Sequence, residues 1–170
     1  MKVRVYHEVL PDSLGNALSE GVKRSTHGEK SDSLAKKTDA YLDRRRPEHL
    51  PSDVSRANAV YGYLSEDDQL IDIKDGTPVG VKEFAAQRSQ VLLRMTVELD
   101  KCFVSDLDRY DAVKEALEKG DDAALDQLAT RYWDRLTPLE KYDPGPIRRP
   151  EALITHDVAP SDITVVEPGT

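Results

Sequence analysis

The chain has 170 residues, a formal net charge of -8 and one cysteine, Cys102. That length suits a single domain with a real core, and the lone thiol excludes an intramolecular disulfide or a thiolate metal cluster and suits a reducing cytoplasm. The acidic balance argues against broad nucleic-acid binding, no apolar run approaches the ~18 residues of a membrane span, and no basic segment leads into an apolar one at the N-terminus, so neither a membrane nor a signal peptide is expected.

In chain order, Lys2–Val9 alternates apolar and polar residues and reads as a strand. Residues 11–21 follow as a short helix capped by Asp12 or Ser13, with Leu14, Ala17 and Leu18 inward and Gly21 at its end. A polar loop with Gly28 leads to a helix over 31–46, capped by Ser31 or Asp32, whose inner stripe is Leu34, Thr38, Tyr41 and Leu42 and whose stop is Pro47. Residues 48–57 read as irregular or one helical turn. A short strand, "NAVYGYL", puts Ala59, Tyr61 and Tyr63 on one face and Val60, Gly62 and Leu64 on the other. After the turn "SEDDQ", residues 70–79 read as a strand ending in an Asp75-Gly76 turn.

Residues 81–89 read as a short helix. "QVLLRMTVEL" is the most continuous apolar run and is expected to be a central strand, with "KCFVSD" as another. Two helices follow. The first is capped by Ser105 or Asp106, points Leu107, Tyr110, Val113 and Leu117 inward and closes at Gly120; the second points Leu125, Leu128, Ala129, Tyr132 and Leu136 inward. The 14 residues from Thr137 to Pro150 hold four prolines and a glycine and are expected to be irregular. "EALITHDV" and "ITVVE" are the last strands, before a frayed tail at 167–170. Strands and helices do not alternate as in a doubly wound sheet, so the expectation is α+β, with strands from both chain ends meeting in one core.

The charge is uneven: residues 1–60 hold 11 Lys and Arg against 9 Asp and Glu, and the rest 13 against 23. Arg44-Arg45-Arg46 and Arg148-Arg149 are compact basic clusters, read first as solvated surface and second as grips for phosphate or carboxylate. His7, His27, His49 and His156 lack ligand spacing, so no metal is expected. No phosphate-cradling glycine loop or G-x-S-x-G elbow occurs. Asp106, Asp108 and Asp111 read as helix-start residues rather than a metal site.

Three stretches remain. "VYHEVL" sets His7 on an otherwise apolar strand face. "NAVYGYL" sets Gly62 between two tyrosines, and a strand glycine marks close approach by a ligand or another chain. "RRPEALITHDV" sets Glu151 at a strand entrance, where a carboxylate can face a cleft. Taken singly, each has a bland reading: a satisfied core histidine, tyrosine packing, a solvated glutamate.

Taken in order, they resemble the ADP-ribosyltransferase superfamily: an early strand with a histidine, often written Y-H, a mid-chain strand with an aromatic group, and a late strand opening on glutamate. "DSLGNALSEGV" looks like the family's "I-L-x-x-G-L" helix, and "PEALITHDVAPSDI" looks like its closing "E-V-L-V-x-x-x-I-P-P-x-x-I" segment. The resemblance spans about 150 residues. It implies a single domain with a split mixed β-sheet core and helices, NAD as substrate without a metal, and transfer of ADP-ribose to a protein or nucleic-acid acceptor, as in a toxin or phage-related effector. It also implies roles for particular residues. His7 would bind the NAD riboses, Tyr61 or Tyr63 would stack on nicotinamide, and Glu151 would stabilise the oxocarbenium-like transition state. Arg24, or the arginines at 44–46 and 148–149, would serve the pyrophosphate or an anionic acceptor. Two departures stand out. Glu8 follows the histidine where the family usually has glycine. Arg149 stands where arginine-modifying toxins carry a Glu or Gln, which argues against arginine as the acceptor.

Two other readings stay open. One is a non-catalytic interaction or regulatory protein of similar fold, with the acidic second half as its partner surface. The other is a nucleotide- or RNA-end phosphotransferase, which would need several arginines at one site.

Overall fold

A computed structural model describes residues 1–26 and 33–169; Gly28, His27 and the expected cap residues Ser31 and Asp32 lie outside them. The elements run β1 (Lys2–Val9), α1 (Leu14–Glu20), α2 (Ser33–Arg44), β2 (Val60–Gly62), β3 (Ser65–Glu66), β4 (Gln69–Ile71), β5 (Pro78–Gly80) and α3 (Val81–Gln87). They continue with β6 (Val91–Glu98), β7 (Cys102–Asp106), α4 (Leu107–Lys119), α5 (Asp122–Arg135), β8 (Thr137–Pro138), β9 (Pro150–Ile154) and β10 (Ile163–Val165). The protein is an α+β domain whose strands form three sheets, β1-β6-β10, β2-β9-β7-β8 and β3-β4-β5, with every pairing antiparallel. The continuous apolar run is indeed a central strand, β6, between β1 and β10. No helix among the described residues is long and apolar enough to cross a membrane.

The two larger sheets meet at one point and then part. Tyr6 and Tyr63 exchange backbone hydrogen bonds of 3.1 and 2.7 Å. In an antiparallel strand alternate residues point their backbone groups to opposite edges, so Lys2, Arg4, Tyr6 and Glu8 aim theirs at the β2 side. Of these, Tyr6 alone forms a bridge to that side, and the ladder stops there. Gly62 makes the crossing possible: a Cβ at this position would lie 2.4 Å from the Tyr6 carbonyl oxygen and 2.6 Å from Val5. The close approach expected at this glycine is therefore that of β1.

Three apolar groups flank the sheets. Val5, Val60, Leu93, Met95, Val104 and Ile154 lie in one, with Ala17 of α1. Helices α2, α4 and α5 cover the other face of the β2-β9-β7-β8 sheet, setting Leu42, Tyr110, Tyr132 and Trp133 in one group with Leu153 of β9. Helix α3 closes a smaller group around Tyr6, Tyr63 and Leu70. Helix α4 begins where the Asp106 carboxylate accepts hydrogen bonds from the Asp108 and Arg109 amides at 3.0 and 3.4 Å, and it ends on Gly120 at φ +69°.

Some boundaries differ from the sequence reading. Leu18 is 42% exposed, because the seven-residue α1 buries only Ala17, and neither Asp12 nor Ser13 makes a side-chain cap. The strand expected over 70–79 is a pair, β4 and β5, around a turn in which Asp72 and Asp75 accept bonds from the Lys74 and Thr77 amides and Gly76 sits at φ +77°. Within the proline-rich segment, Thr137–Pro138 pairs with Phe103 and Val104 of β7 as a short edge strand.

Candidate functional site

Where β1 and β2 separate, His7 spans the gap. Its Nδ1 lies 2.6 Å from the carbonyl oxygen of Tyr61, the residue that would have continued the ladder. A carbonyl oxygen only accepts, so Nδ1 carries the proton and Nε2 keeps the lone pair in the neutral ring. Burial lowers the pKa of His7, and the bond to Tyr61 together with nearby Glu8 opposes that only in part. His7 is thus a neutral imidazole that takes the place of a missing backbone donor.

Glu151 is 1% exposed and faces the helical side of its sheet. The irregular segment before β2 delivers its partner. The amides of Arg56 and Ala57 donate to the Asp43 carboxylate at 2.6 and 3.1 Å, which pins the segment against α2. The Arg56 side chain, 0% exposed, then reaches inward. Its Nη1 lies 2.9 Å from Glu151 Oε1 and 3.1 Å from the Tyr132 hydroxyl, and its Nε lies 3.2 Å from Asp39 Oδ1. The guanidinium carbon sits 4.6 Å from the Tyr61 ring centre, 4.3 Å from Tyr110 and 5.6 Å from Tyr132. The Tyr61 hydroxyl donates to the Arg56 carbonyl. A buried charge survives only when paired. Burial works against the Arg56 cation, but Tyr132, Tyr61, Glu151 and Asp39 together raise its pKa well above the ordinary value. Burial likewise holds Tyr61 and Tyr132 protonated. Among the described residues Arg56 Nη2 has no hydrogen-bond partner, and Ser105 stands opposite Glu151 in the β7–β9 register.

Tyr63 belongs to a separate place. Its hydroxyl donates to Glu8 Oε1 at 2.8 Å, Arg88 reaches Glu8 at 3.3 Å and Asp72 at 2.9 Å, and the Arg88 guanidinium stacks 4.1 Å from the Phe84 ring centre. Tyr63, Glu8 and Arg88 line a cavity of about 390 Å³ with Lys74, Asp111 and Arg149.

The remaining arginines are dispersed. Arg24 holds Asp157 through its backbone amide at 2.9 Å and its Nε at 3.0 Å. Arg45 pairs with Asp126, and Arg46 donates to the Val54 carbonyl. Arg148 grips Asp108 with two nitrogens, and Arg149 reaches Asp108 and Asp111. The hydrogen bonds from Arg148 and Arg149 hold the Asp108 pKa below its ordinary value. The acidic start of α4 is therefore one cap and two ion-pair partners. Among the described residues no group of three or more His, Cys, Asp or Glu side chains could hold a metal ion. Cys102 is buried, and burial pushes its thiol pKa up to about 12, so it is no thiolate nucleophile at neutral pH.

The structure thus brings Tyr61 and Glu151 to one guanidinium. Side-chain alternation keeps His7 with Val5 and Glu151 with Leu153, on opposite sides of the sheet. Tyr63 lies in its own cavity, and Arg24 stands apart with Asp157. Sequence reasoning missed Arg56 and Asp39. Asp39 had a legible signal, since Ala35, Thr38, Asp39 and Leu42 make a buried helical stripe with an acid in it. Arg56 had none, because nothing local separates a buried arginine in an irregular segment from a solvated one.

No protein-family profile matches the chain, and no curated protein matches it closely.

Proposed function

We propose that the protein is an NAD-consuming ADP-ribosyltransferase-like enzyme in which Glu151 is the catalytic carboxylate. The observation that carries this reading is convergence: the strands bearing the three motifs, β1, β2 and β9, are lateral neighbours, and the middle and late motifs meet at Arg56 through Tyr61 and Glu151. In the reaction the C–N bond to nicotinamide breaks and its electron pair leaves with nicotinamide. An acceptor attacks the sugar carbon and loses a proton. Glu151, oriented by Arg56, faces the positive charge that develops on the sugar, which is the transition-state-specific stabilisation a carboxylate supplies. His7, its Nδ1 committed to Tyr61, stands on the other side of the sheet from Glu151 and takes no part in this step. The lone buried thiol suits a cytoplasmic setting.

A second reading has its own support. Arg56, Asp39 and Glu151 are 0 to 1% exposed, as expected of an ion-pair network that only holds three helices to a sheet. In that case the protein is a non-catalytic interaction protein. The end-phosphotransferase reading draws no comparable support from arginines held by Asp157, Asp126 and Asp108.

Thermal-shift titration with NAD and measurement of nicotinamide release separate the two. A melting temperature that rises with NAD by mass action, with release abolished in Glu151→Gln while the shift persists, supports the enzyme. Absence of any shift at millimolar NAD, with no nicotinamide released, overturns it in favour of the structural network.

A further inference from the structure

The cavity of about 390 Å³ beside Tyr63 is lined by charges of both signs, and each charged group there is only partly engaged. Arg88 commits Nη2 to Asp72 and Nε to Glu8, and its Nη1 donates to no acceptor among the described residues. Arg149 commits Nε to the Ile73 carbonyl and Nη1 to Asp108 and Asp111, which leaves its Nη2 idle among the described residues. The Lys74 side chain is exposed and makes no ion pair among the described residues. On the acidic side, Tyr63 and Arg88 both engage Glu8 at Oε1, and Arg149 engages Asp111 at Oδ2. Glu8 Oε2 and Asp111 Oδ1 therefore accept no hydrogen bond among the described residues. Stacking on Phe84 and the bond to Asp72 fix the Arg88 guanidinium, and two carboxylates and a carbonyl fix that of Arg149, so the idle groups are held in place. Ile73 and Leu107 add an apolar wall. The volume falls within the roughly 300–1,000 Å³ of ordinary ligand sites.

We propose that this cavity binds a free α-amino acid as its zwitterion, with the carboxylate on Arg88, Arg149 and Lys74, the ammonium on Glu8 and Asp111, and the side chain against Ile73 and Leu107. The balance of charge selects that class of ligand. Three lining cations face Glu8 and Asp111, and Asp72 and Asp108 hold the two arginines from outside the lining. A phosphate ester would bring about two negative charges to a place already ringed by carboxylates. A simple amine would leave the idle N–H groups unused. A zwitterion adds no net charge and meets idle donors and idle acceptors together, through charge-assisted hydrogen bonds. The inference is independent of NAD chemistry, because neither Glu151 nor His7 lines this cavity.

The test titrates the full chain with L-leucine, L-glutamine and L-phenylalanine by calorimetry and locates binding by amide chemical shifts. The expected result is saturable binding of at least one of them, with the largest shifts at Lys74 and over residues 87–90. N-acetylation of that amino acid removes the ammonium and amidation removes the carboxylate, and each should weaken binding at least tenfold. Lys74→Ala, at an exposed position, and Glu8→Gln, which keeps the shape and an oxygen for Tyr63, should each weaken it about tenfold. No saturable binding of any of the three at millimolar concentration overturns the proposal. Equal affinity for the acetylated analogue would make this a plain anion site, and equal affinity for the amide a plain cation site; either overturns the zwitterion. Unchanged affinity in either variant, or shifts centred elsewhere, overturns it as well.

Discussion

Arg56, in the segment just before β2, and His7, on β1, meet burial in opposite ways. Arg56 keeps its charge, because two carboxylates and three aromatic faces replace the water it has lost. His7 gives up its charge, because burial outweighs the support that one backbone carbonyl and nearby Glu8 give the cation. The contrast teaches that the partner set, not depth alone, decides whether a buried basic group is ionised. One region is a charged lock beneath helices; the other is a neutral patch where two strands diverge.

The contrast breaks most visibly at Arg56. Arg56→Met leaves Asp39 and Glu151 buried without the cation between them, and urea unfolding should show a loss of about 3–5 kcal/mol. A variant within about 1 kcal/mol of wild type would mean that the charges are not locked. Next comes the crossing that positions both regions. Gly62→Ala forces a Cβ onto the Tyr6 carbonyl, and the same assay should record a loss of roughly 1–3 kcal/mol.

The His7 side sharpens through pH. Its folded pKa lies below the ordinary 6.5, so the unfolded chain binds the proton more readily. The contribution of His7 is therefore intact above pH 6.5 and is lost as pH falls below it toward the folded value, with a slope of at most about 1.4 kcal/mol per pH unit. Subtracting the pH profile of His7→Gln from that of wild type should isolate this loss; parallel profiles would show an ordinary pKa. The smallest effect is expected at Arg148, an exposed ion pair with Asp108. Arg148→Ala should move the melting temperature by no more than about 2 °C.

Much of the fold was legible. The alternation in Lys2–Val9, the apolar run of β6 and the stripes and stops of α4 and α5 are local patterns, and each element forms where its pattern lies. The candidate site was legible only in pieces. Glu151 at a strand entrance could be read, but whether it meets solvent or an arginine depends on the segment 51–59, which has no periodicity of its own. Tyr61 and Tyr63 could be placed on one face, yet the divergence of β1 from β2 sends them into different surroundings, one to Arg56 and one to Glu8.

The amino-acid sequence by itself determined the α+β class, the longer helices, the lone thiol and the strands that carry His7, Tyr61 and Glu151, because hydrophobic period, capping residues and turn chemistry act over a few neighbouring residues. Tertiary structure alone decided that Arg56 joins Glu151 to Asp39 and that His7 completes an interrupted ladder. These depend on where β1 and β2 cross and part, a matter of long-range register that no local pattern encodes.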